Sequence, residues 1–340
     1  MTNLARLHEV TKNADALRHI MSDSNNPPLN VTKSEFDYGL APLCTRYGFG
    51  YGRSFDYSVG AFLELLLALG ASGAVAASTA IHPNLNLAMN LAANLMHSGA
   101  AIVPILPCQS LDVARQKGAK SFVLSLVNDE IFSRNAYTKN EGEFFVYDAS
   151  LALAAGVLRA DSLPQLDADA LLLEGEILGL ARPFGAFLQR MTERDSSPLF
   201  ALQPPIVGLG RAFCAALESQ QSFANQSALF WEILHDYIPT LALFAPLDSL
   251  VPNALPLRFA GIKARALISA CAYDEILIIN GRRCLFGLGQ PSYVLESLGF
   301  CDSHCRELIA LSFGALCEDE MHRIARILKL RYAQVLALNP

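Results

Sequence analysis

The sequence has few charged residues and no cluster of basic ones. Charged side chains make up 17% of its 340 residues, hydrophobic ones make up 52%, and the formal net charge is −6. A nucleic-acid surface needs clustered Lys and Arg, so we expect no nucleic-acid partner. A disordered chain would have a much lower apolar content, so the composition predicts a globular protein with a large buried core.

Long uninterrupted apolar runs are also missing. A membrane-spanning helix needs about 20 mainly apolar residues, and the longest runs here are broken by polar side chains. These are Glu64, His82, Asn84, Asn86 and Asn90. The first 21 residues have the scattered charges of an amphipathic helix and lack a secretory signal pattern. We therefore expect no membrane span and a cytoplasmic location.

The eight cysteines lack the spacing of a zinc site. The stretch CDSHC places Cys301 and Cys305 one helical turn apart, with His304 between them, but no second pair of ligands completes a tetrahedral site. Without a secretory signal, disulfides are not expected either. We predict reduced cysteines and no metal.

A glycine-rich stretch, GFGYG at residues 48–52, precedes a long apolar run that stops at His82. It matches neither the phosphate loop GxxxxGK[ST] nor a strand-borne GxGxxG. The favoured interpretation is a loop that leads into a buried helix, with His82 as a residue of a helix end or of the core.

The residue pattern changes twice along the chain. Residues 1–104 show helical spacing, residues 105–195 contain short β-like runs bounded by Asn, Asp, Gly and Pro, and residues 196–340 return to helical spacing. Because strands and helices are segregated, we expect an α+β fold that is mainly helical. The absence of regular β–α alternation argues against a doubly wound sheet.

The order of these segments, with several local patterns, resembles the acyl-CoA dehydrogenase family. The patterns are Asp56 followed by GASGAVAAS and His82, then PPIVGLGRAFCAALESQQSFANQ, then CRELIALSFGALCEDEMHRIARILK. The resemblance implies an N-terminal helical domain, a middle β domain and a C-terminal helical bundle. It also implies FAD, an acyl thioester substrate on CoA or a carrier protein, and a homo- or hetero-oligomer formed through the bundle.

The catalytic base of that family has no clear counterpart here. The resemblance places Phe313 at one of the two positions where the family carries a glutamate, and a phenyl ring cannot accept a proton. Near the other position the only carboxylates are Glu232 and Asp236. Glu232 is the catalytic candidate, with an ordinary solvated helix residue as the alternative.

The resemblance also implies residues that contact FAD. Gln226 is the nearest counterpart of the family's pyrophosphate-binding arginine, and Gly287 with Gly289 is the counterpart of its paired-glycine turn. In the middle segment the polar candidates beside the flavin ring are Ser125, Asn128 and Ser150. These three residues could equally be ordinary turn residues.

Three functions follow from the resemblance. The first is a divergent flavin-dependent oxidoreductase that acts on an acyl thioester. The second is a flavin monooxygenase or oxidase on the same fold. The third is a partner or acyl-binding protein that has lost FAD and catalysis. The first two make the protein an enzyme, and that is the expectation.

Overall fold

The computed structural model describes residues 39–96, 101–107, 109–180, 184–190, 206, 208–220, 224–281 and 291–338. The chain divides into two compact units. The sheet unit comprises Glu9–Leu126 and Ala136–Gln221, and the second unit comprises Met1–His8, Val127–Asn135 and Ser222–Pro340. No helix in the described part of the chain is long and apolar enough to cross a membrane.

The sheet unit is built on seven strands. In chain order they are β1 (Tyr51–Ser54), β2 (Ala74–Ser78), β3 (Ile102–Ile105), β4 (Ala119–Ser125), β5 (Phe144–Asp148), β6 (Ala170–Glu174) and β7 (Gly185–Gln189). Their spatial order is β1-β7-β6-β5-β4-β2-β3. The pairs β2–β3, β2–β4, β4–β5 and β5–β6 are parallel, whereas β7 is antiparallel to both of its neighbours. Six strands therefore run in one direction and β7 runs against them.

Helices cover both faces of this sheet. They are α1 (Ala41–Tyr47), α2 (Val59–Gly70), α3 (Pro83–Leu95), α4 (Asp112–Gln116), α5 (Ser150–Ala154) and α6 (Leu209–Glu218). The apolar residues of α2 and α3 pack with alternate strand residues, such as Val123 and Val146, in one core cluster. Those of α1, α5 and α6 pack with the intervening residues, such as Phe122 and Phe145, in another. Side chains alternate between the faces along each strand, so the sheet is buried on both sides.

The second unit contains a three-stranded antiparallel sheet with helices. Its strands are β8 (Ala242–Leu243), β9 (Ala254–Arg258) and β10 (Leu308–Ser312), in the order β10-β9-β8. Its helices are α7 (Ser227–Tyr237), α8 (Ala264–Ala272), α9 (Tyr293–Ser297), α10 (Asp302–Cys305) and α11 (Glu318–Ala337). The strands β9 and β10 lie in stretches that the sequence pattern assigned to helices.

The predicted fold class is wrong. The structure has a mixed seven-stranded central sheet with helices on both faces, not a helical domain, a β domain and a helical bundle in succession. The alanine-rich β2 is buried along its whole length, and parallel strands buried on both faces read as continuous apolar runs without alternation. Such a run has no period that separates it from a buried helix. The domain boundaries near residues 104 and 195 stay a prediction.

Candidate functional site

Polar side chains meet at the carboxyl edge of the parallel strands, which is where open α/β sheets bind ligands. Asp148 ends β5, Glu174 ends β6, and Ser150 begins α5 immediately after β5. Asp148 and Glu174 each lie two residues beyond a residue of the α2–α3 face, Val146 and Leu172. Because side chains alternate, both carboxylates point to that face.

A hydrogen-bond network holds these groups together. The Tyr57 hydroxyl donates to Asp148 Oδ2 (3.1 Å) and also lies 3.2 Å from Ser150 Oγ. Asp148 Oδ1 accepts from the Ser150 amide at 2.9 Å, and Ser150 Oγ accepts from the Glu174 amide at 2.7 Å. The residues Asp148, Ser150 and Glu174 are 8%, 0% and 6% exposed, respectively. The network is therefore a buried, oriented polar cluster.

Tyr57 reaches the cluster through an unusual backbone conformation. Its φ is 56°, in the left-handed region that residues other than glycine rarely adopt. Its ring packs edge-on against Phe55 and Phe62, with centroids 5.3 and 5.4 Å away. Backbone strain of this kind costs of order 1–3 kcal/mol and concentrates at functional sites. From this backbone conformation the Tyr57 hydroxyl contacts Asp148.

Burial and nearby negative charge act together on the Tyr57 hydroxyl. Burial is the largest cause, and the carboxylates of Asp148 and Glu174 add to it, so the pKa of Tyr57 lies well above its ordinary value. All three influences disfavour the phenolate. Tyr57 therefore keeps its proton at neutral pH and acts as a hydrogen-bond donor to Asp148.

His82 and Asn84 connect the start of α3 to this cluster. His82 caps the helix, since its Nδ1 accepts from the Asn84 amide at 3.0 Å, and the Asn84 side chain donates to the Tyr57 carbonyl at 2.9 Å. The His82 ring lies 5.8 Å from the Tyr57 ring. His82 is thus at a helix end, but at the start of α3; the apolar run before it, predicted as one helix that stops at His82, is the helix α2 followed by the strand β2.

Two of the residues predicted to bind a cofactor lie at this edge. Ser150 belongs to the network, and Ser125 is the buried last residue of β4, paired in register with Asp148. That they contact some ligand stays a prediction.

The other predicted site residues lie outside the sheet unit or outside the described residues. Asn128 is buried in a loop of the second unit, where its side chain bonds to Ser133 and Asn135. Gln226 exchanges two hydrogen bonds with the backbone of Leu316, and Glu232 is exposed on α7. Gly287 and Gly289 lie outside the described residues.

Phe313, at the expected base position, is a core residue of the second unit. It is fully buried, its ring packs edge-on against Phe230 at 5.1 Å, and its amide donates to the Asn253 carbonyl. The ring fills a core and does not shape a substrate pocket. The resemblance that placed it there is therefore not supported by its surroundings.

Sequence reasoning missed Tyr57, Asp148 and Glu174. A signal was present for the two acids, because FFVYD and ALLLE are apolar runs that each end in a carboxylate. Once these runs are identified as neighbouring parallel strands, their carboxyl ends must meet at one edge. Tyr57 gave no such signal, because its place depends on the turn before α2.

The curated proteins that this chain matches in sequence include cysteine desulfurases. No family model matches the chain. It is 30% identical over 139 residues to cysteine desulfurase IscS of Neisseria meningitidis serogroup A / serotype 4A, and 28% identical over 139 residues to that of Vibrio cholerae. These matches cover 40% of the chain and 34% of the relatives, so they span about a third of the curated proteins' length.

Solved structures of similar fold cover nearly the whole chain. A NifS-like protein superposes with a TM-score of 0.73 at 13% identity, covering 98% of this chain and 99% of that one. A cysteine desulfurase from Thermococcus onnurineus gives 0.67 at 14% identity (99% and 94%), and ureidoglycine-glyoxylate aminotransferase from Bacillus subtilis gives 0.61 at 13% (98% and 93%). At such identities the likeness shows the fold alone, which is that of the cysteine desulfurases and aminotransferases.

These findings overturn the resemblance to acyl-CoA dehydrogenases. The flavin-dependent oxidoreductase, its FAD and its acyl thioester substrate are wrong, and so are the flavin oxidase and acyl-binding alternatives. Because FAD is wrong, the residues assigned to it have no such role. They are the proposed FAD contacts Ser125, Asn128, Ser150, Gln226, Gly287 and Gly289, and the proposed base Glu232. The relatives are named as enzymes, which supports the expectation of an enzyme only in that general form.

The fold family implies pyridoxal phosphate as a cofactor. Enzymes that use it hold it as a Schiff base to a lysine, with an acidic or basic side chain at the pyridine nitrogen. Asp148 suits the second role. The described part of the sheet unit offers no candidate for the first role, because its lysines all lie at the opposite edge. These residues of the sheet unit therefore do not fit the cofactor.

Proposed function

We propose that this chain is a cysteine desulfurase-like protein that binds a small amino acid, cysteine first among the candidates, at the carboxyl edge of its seven-stranded sheet. The shared fold and the named relatives support the ligand class. The observation that carries the proposal is the buried, oriented Asp148 at the end of β5.

The electrostatics of the edge favour a positively charged group. Asp148 and Glu174 both raise the pKa of Tyr57, so both act on the same buried volume. The hydrogen bonds from Tyr57 and Ser150 fall on different oxygens of the Asp148 carboxylate. The α-ammonium group of an amino acid is a donor of matching charge.

Tyr57 and Ser150 orient Asp148 for that contact. Each holds one carboxylate oxygen from a fixed direction, so little side-chain freedom is lost when a ligand binds. Preorganisation of this kind raises affinity by lowering the entropic cost of binding. A cytoplasmic location and a homo- or hetero-oligomer remain predictions beside this proposal.

Calorimetric titration of the purified chain with L-cysteine, and with L-alanine and L-serine for comparison, tests the proposal. A charged hydrogen bond is worth about 1.5–3 kcal/mol, so Asp148→Asn should weaken cysteine binding about tenfold or more. The matched control is Lys139→Met at the amino edge, which should bind as the wild type does. Equal affinity in Asp148→Asn, or no binding of any amino acid by the wild type, would contradict the proposal.

A further inference from the structure

We propose that this site works without pyridoxal phosphate and leaves a bound cysteine intact. The identity of the ligand rests on the function proposed above, whereas the absence of the cofactor rests on the chain's own residues. The fold is that of pyridoxal phosphate enzymes, but the described residues of the sheet unit place no lysine at the carboxyl edge to hold that cofactor.

The first observation is where the lysines stand in the sequence. The chain has seven: Lys12, Lys33, Lys117, Lys120, Lys139, Lys263 and Lys329. The whole stretch 140–262 has none, and it contains β5, β6, β7 and the connections that follow β5 and β6. Residues 79–82, which follow β2 at the same edge, also have none, and the first lysine after β4 is Lys139, 14 residues beyond Ser125 and bonded to Asp169 at the amino edge. No lysine therefore directly follows β2, β4, β5 or β6 at the carboxyl edge.

The second observation is where the structure places the lysines of the sheet unit that it describes. Lys117 and Lys120 lie at the start of β4, and Lys139 bonds at 2.8 Å to Asp169, the residue before β6. A strand of five residues is about 16 Å long, so these ammonium groups lie a strand's length from Asp148 and Glu174. A lysine side chain does not span that distance.

The third observation concerns the phosphate of the cofactor. A phosphate monoester carries about −1.5 to −2 charges at neutral pH, so its site needs positively charged donors. The Arg53 guanidinium, which lies at the same level of the sheet, forms a two-point ion pair with Glu64. It stands on β1, three strands and about 14 Å from β5.

Without the cofactor, the site lacks the group needed for the desulfurase chemistry for which the relatives are named. Pyridoxal phosphate acts as the electron sink in carbanion chemistry of amino acids. The chain's own residues offer a proton donor in Tyr57 and carboxylates in Asp148 and Glu174, and none of these is an electron sink. Cysteine bound there keeps its carbon–sulfur bond, so the full chain should bind cysteine and release no sulfide.

Borohydride trapping of the full chain tests this inference. The protein is incubated with increasing pyridoxal phosphate and reduced with borohydride, which fixes any Schiff base, and its peptides are then mapped by mass spectrometry. We expect weak, non-saturating labelling spread over exposed lysines, equal in the wild type and in Asp148→Asn. Saturable labelling of one lysine at one equivalent, lost in Asp148→Asn, would overturn the inference, whichever of the seven lysines it is.

Two further readouts keep the outcomes separate. If Asp148→Asn does not fold, the saturation and stoichiometry of lysine labelling in the wild type are sufficient to test the inference. Cysteine affinity, measured by calorimetry with and without pyridoxal phosphate, should be the same, and sulfide should stay at the level of the blank in both. Failure to bind cysteine contradicts the proposed function, whereas a trapped lysine or sulfide release that requires the cofactor contradicts this inference.

Discussion

The two edges of the seven-stranded sheet are ends of the same strands, yet they hold their acidic groups differently. At the amino edge, Asp169 pairs with Lys139 at 2.8 Å and Glu143 pairs with Arg115 at 2.7 Å. The hydrogen bond from Arg115 lowers the pKa of Glu143. At the carboxyl edge, Asp148 accepts hydrogen bonds from a phenol and a backbone amide.

The difference is the basis for choosing the candidate site. The amino-edge acids form direct ion pairs with partly exposed basic side chains. The carboxyl-edge acids are buried beside a tyrosine whose pKa they raise, and an arrangement that perturbs a buried group in this way marks a candidate site. The four predictions that follow test this contrast, from the largest expected effect to the smallest.

The largest effect is expected from Gly185→Ala at the start of β7, opposite Glu174 in register. A Cβ at this position would overlap the carbonyl oxygen of Phe55 and press on that of Leu173. Overpacking costs about 1–3 kcal/mol and sometimes more, so we expect a loss of about 3 kcal/mol in the free energy of unfolding, measured with urea.

The control is Gly60→Ala in the first turn of α2, where the nearest atom to a new Cβ is Ser58 Oγ at 3.7 Å. Alanine is the better helix former by about 1 kcal/mol, so stability should stay equal or rise. An equal loss in both variants would show that close packing at the carboxyl edge is not the cause.

Tyr57→Phe should lower stability in a way that depends on pH. Near neutral pH the loss of the hydroxyl leaves Asp148 without one donor, at a cost of about 1–3 kcal/mol. The raised pKa of Tyr57 means that the folded state keeps a proton that the unfolded state loses above about pH 10. Wild-type stability should therefore fall above that pH, and Tyr57 contributes up to about 1.4 kcal/mol per pH unit to the slope.

Urea unfolding from neutral to alkaline pH should show the gap between the wild type and Tyr57→Phe narrowing above pH 10. Ser150→Ala belongs to the same network but removes no titrating group, so it should keep the wild-type slope. A constant gap for Tyr57→Phe would mean that this hydroxyl ionises alike in both states.

A double-mutant cycle should show that the carboxyl-edge network acts as a unit. Tyr57 and Ser150 share one hydrogen bond and both bind Asp148. Their combined effect on the free energy of unfolding should differ from the sum of the single effects by about 0.5 kcal/mol or more. Tyr57→Phe with Lys139→Met, at opposite edges, should be additive within about 0.5 kcal/mol. Coupling across the sheet would contradict the separation of the edges.

The smallest effect is expected from Lys139→Met at the amino edge. The pair with Asp169 is partly exposed, with side chains 17% and 28% accessible, and such pairs contribute about 0–1 kcal/mol. Asp169 also accepts a hydrogen bond from the Phe145 amide, so it keeps a partner. Urea unfolding at low and high salt should show a small loss in the free energy of unfolding, and the loss should shrink as salt rises. A loss above about 1 kcal/mol would contradict a minor role of this pair in stability.

Part of the sheet was predictable from the sequence. The runs that became β4, β5 and β6 were predicted as β structure, because each is a short apolar segment bounded by turn residues. Their parallel arrangement was missed because the helices α4 and α5, which connect strands that are consecutive in the chain, have only five residues each. A helix of that length shows no amphipathic period, so the β–α alternation could not be recognised.

The sequence by itself determined that the protein has a large buried core and that residues 140–262 contain no lysine, because both follow from residue identity. It also determined that FFVYD and ALLLE each end in an acid. Only the tertiary structure decided that these two acids share one edge. Asp148 and Glu174 are 26 residues apart in the chain, and the parallel pairing of β5 with β6 brings the ends of these strands together. The same long-range packing brings Tyr57 onto Asp148 across 91 residues, a contact that no local pattern encodes, because it depends on how α2 and α3 cover the sheet.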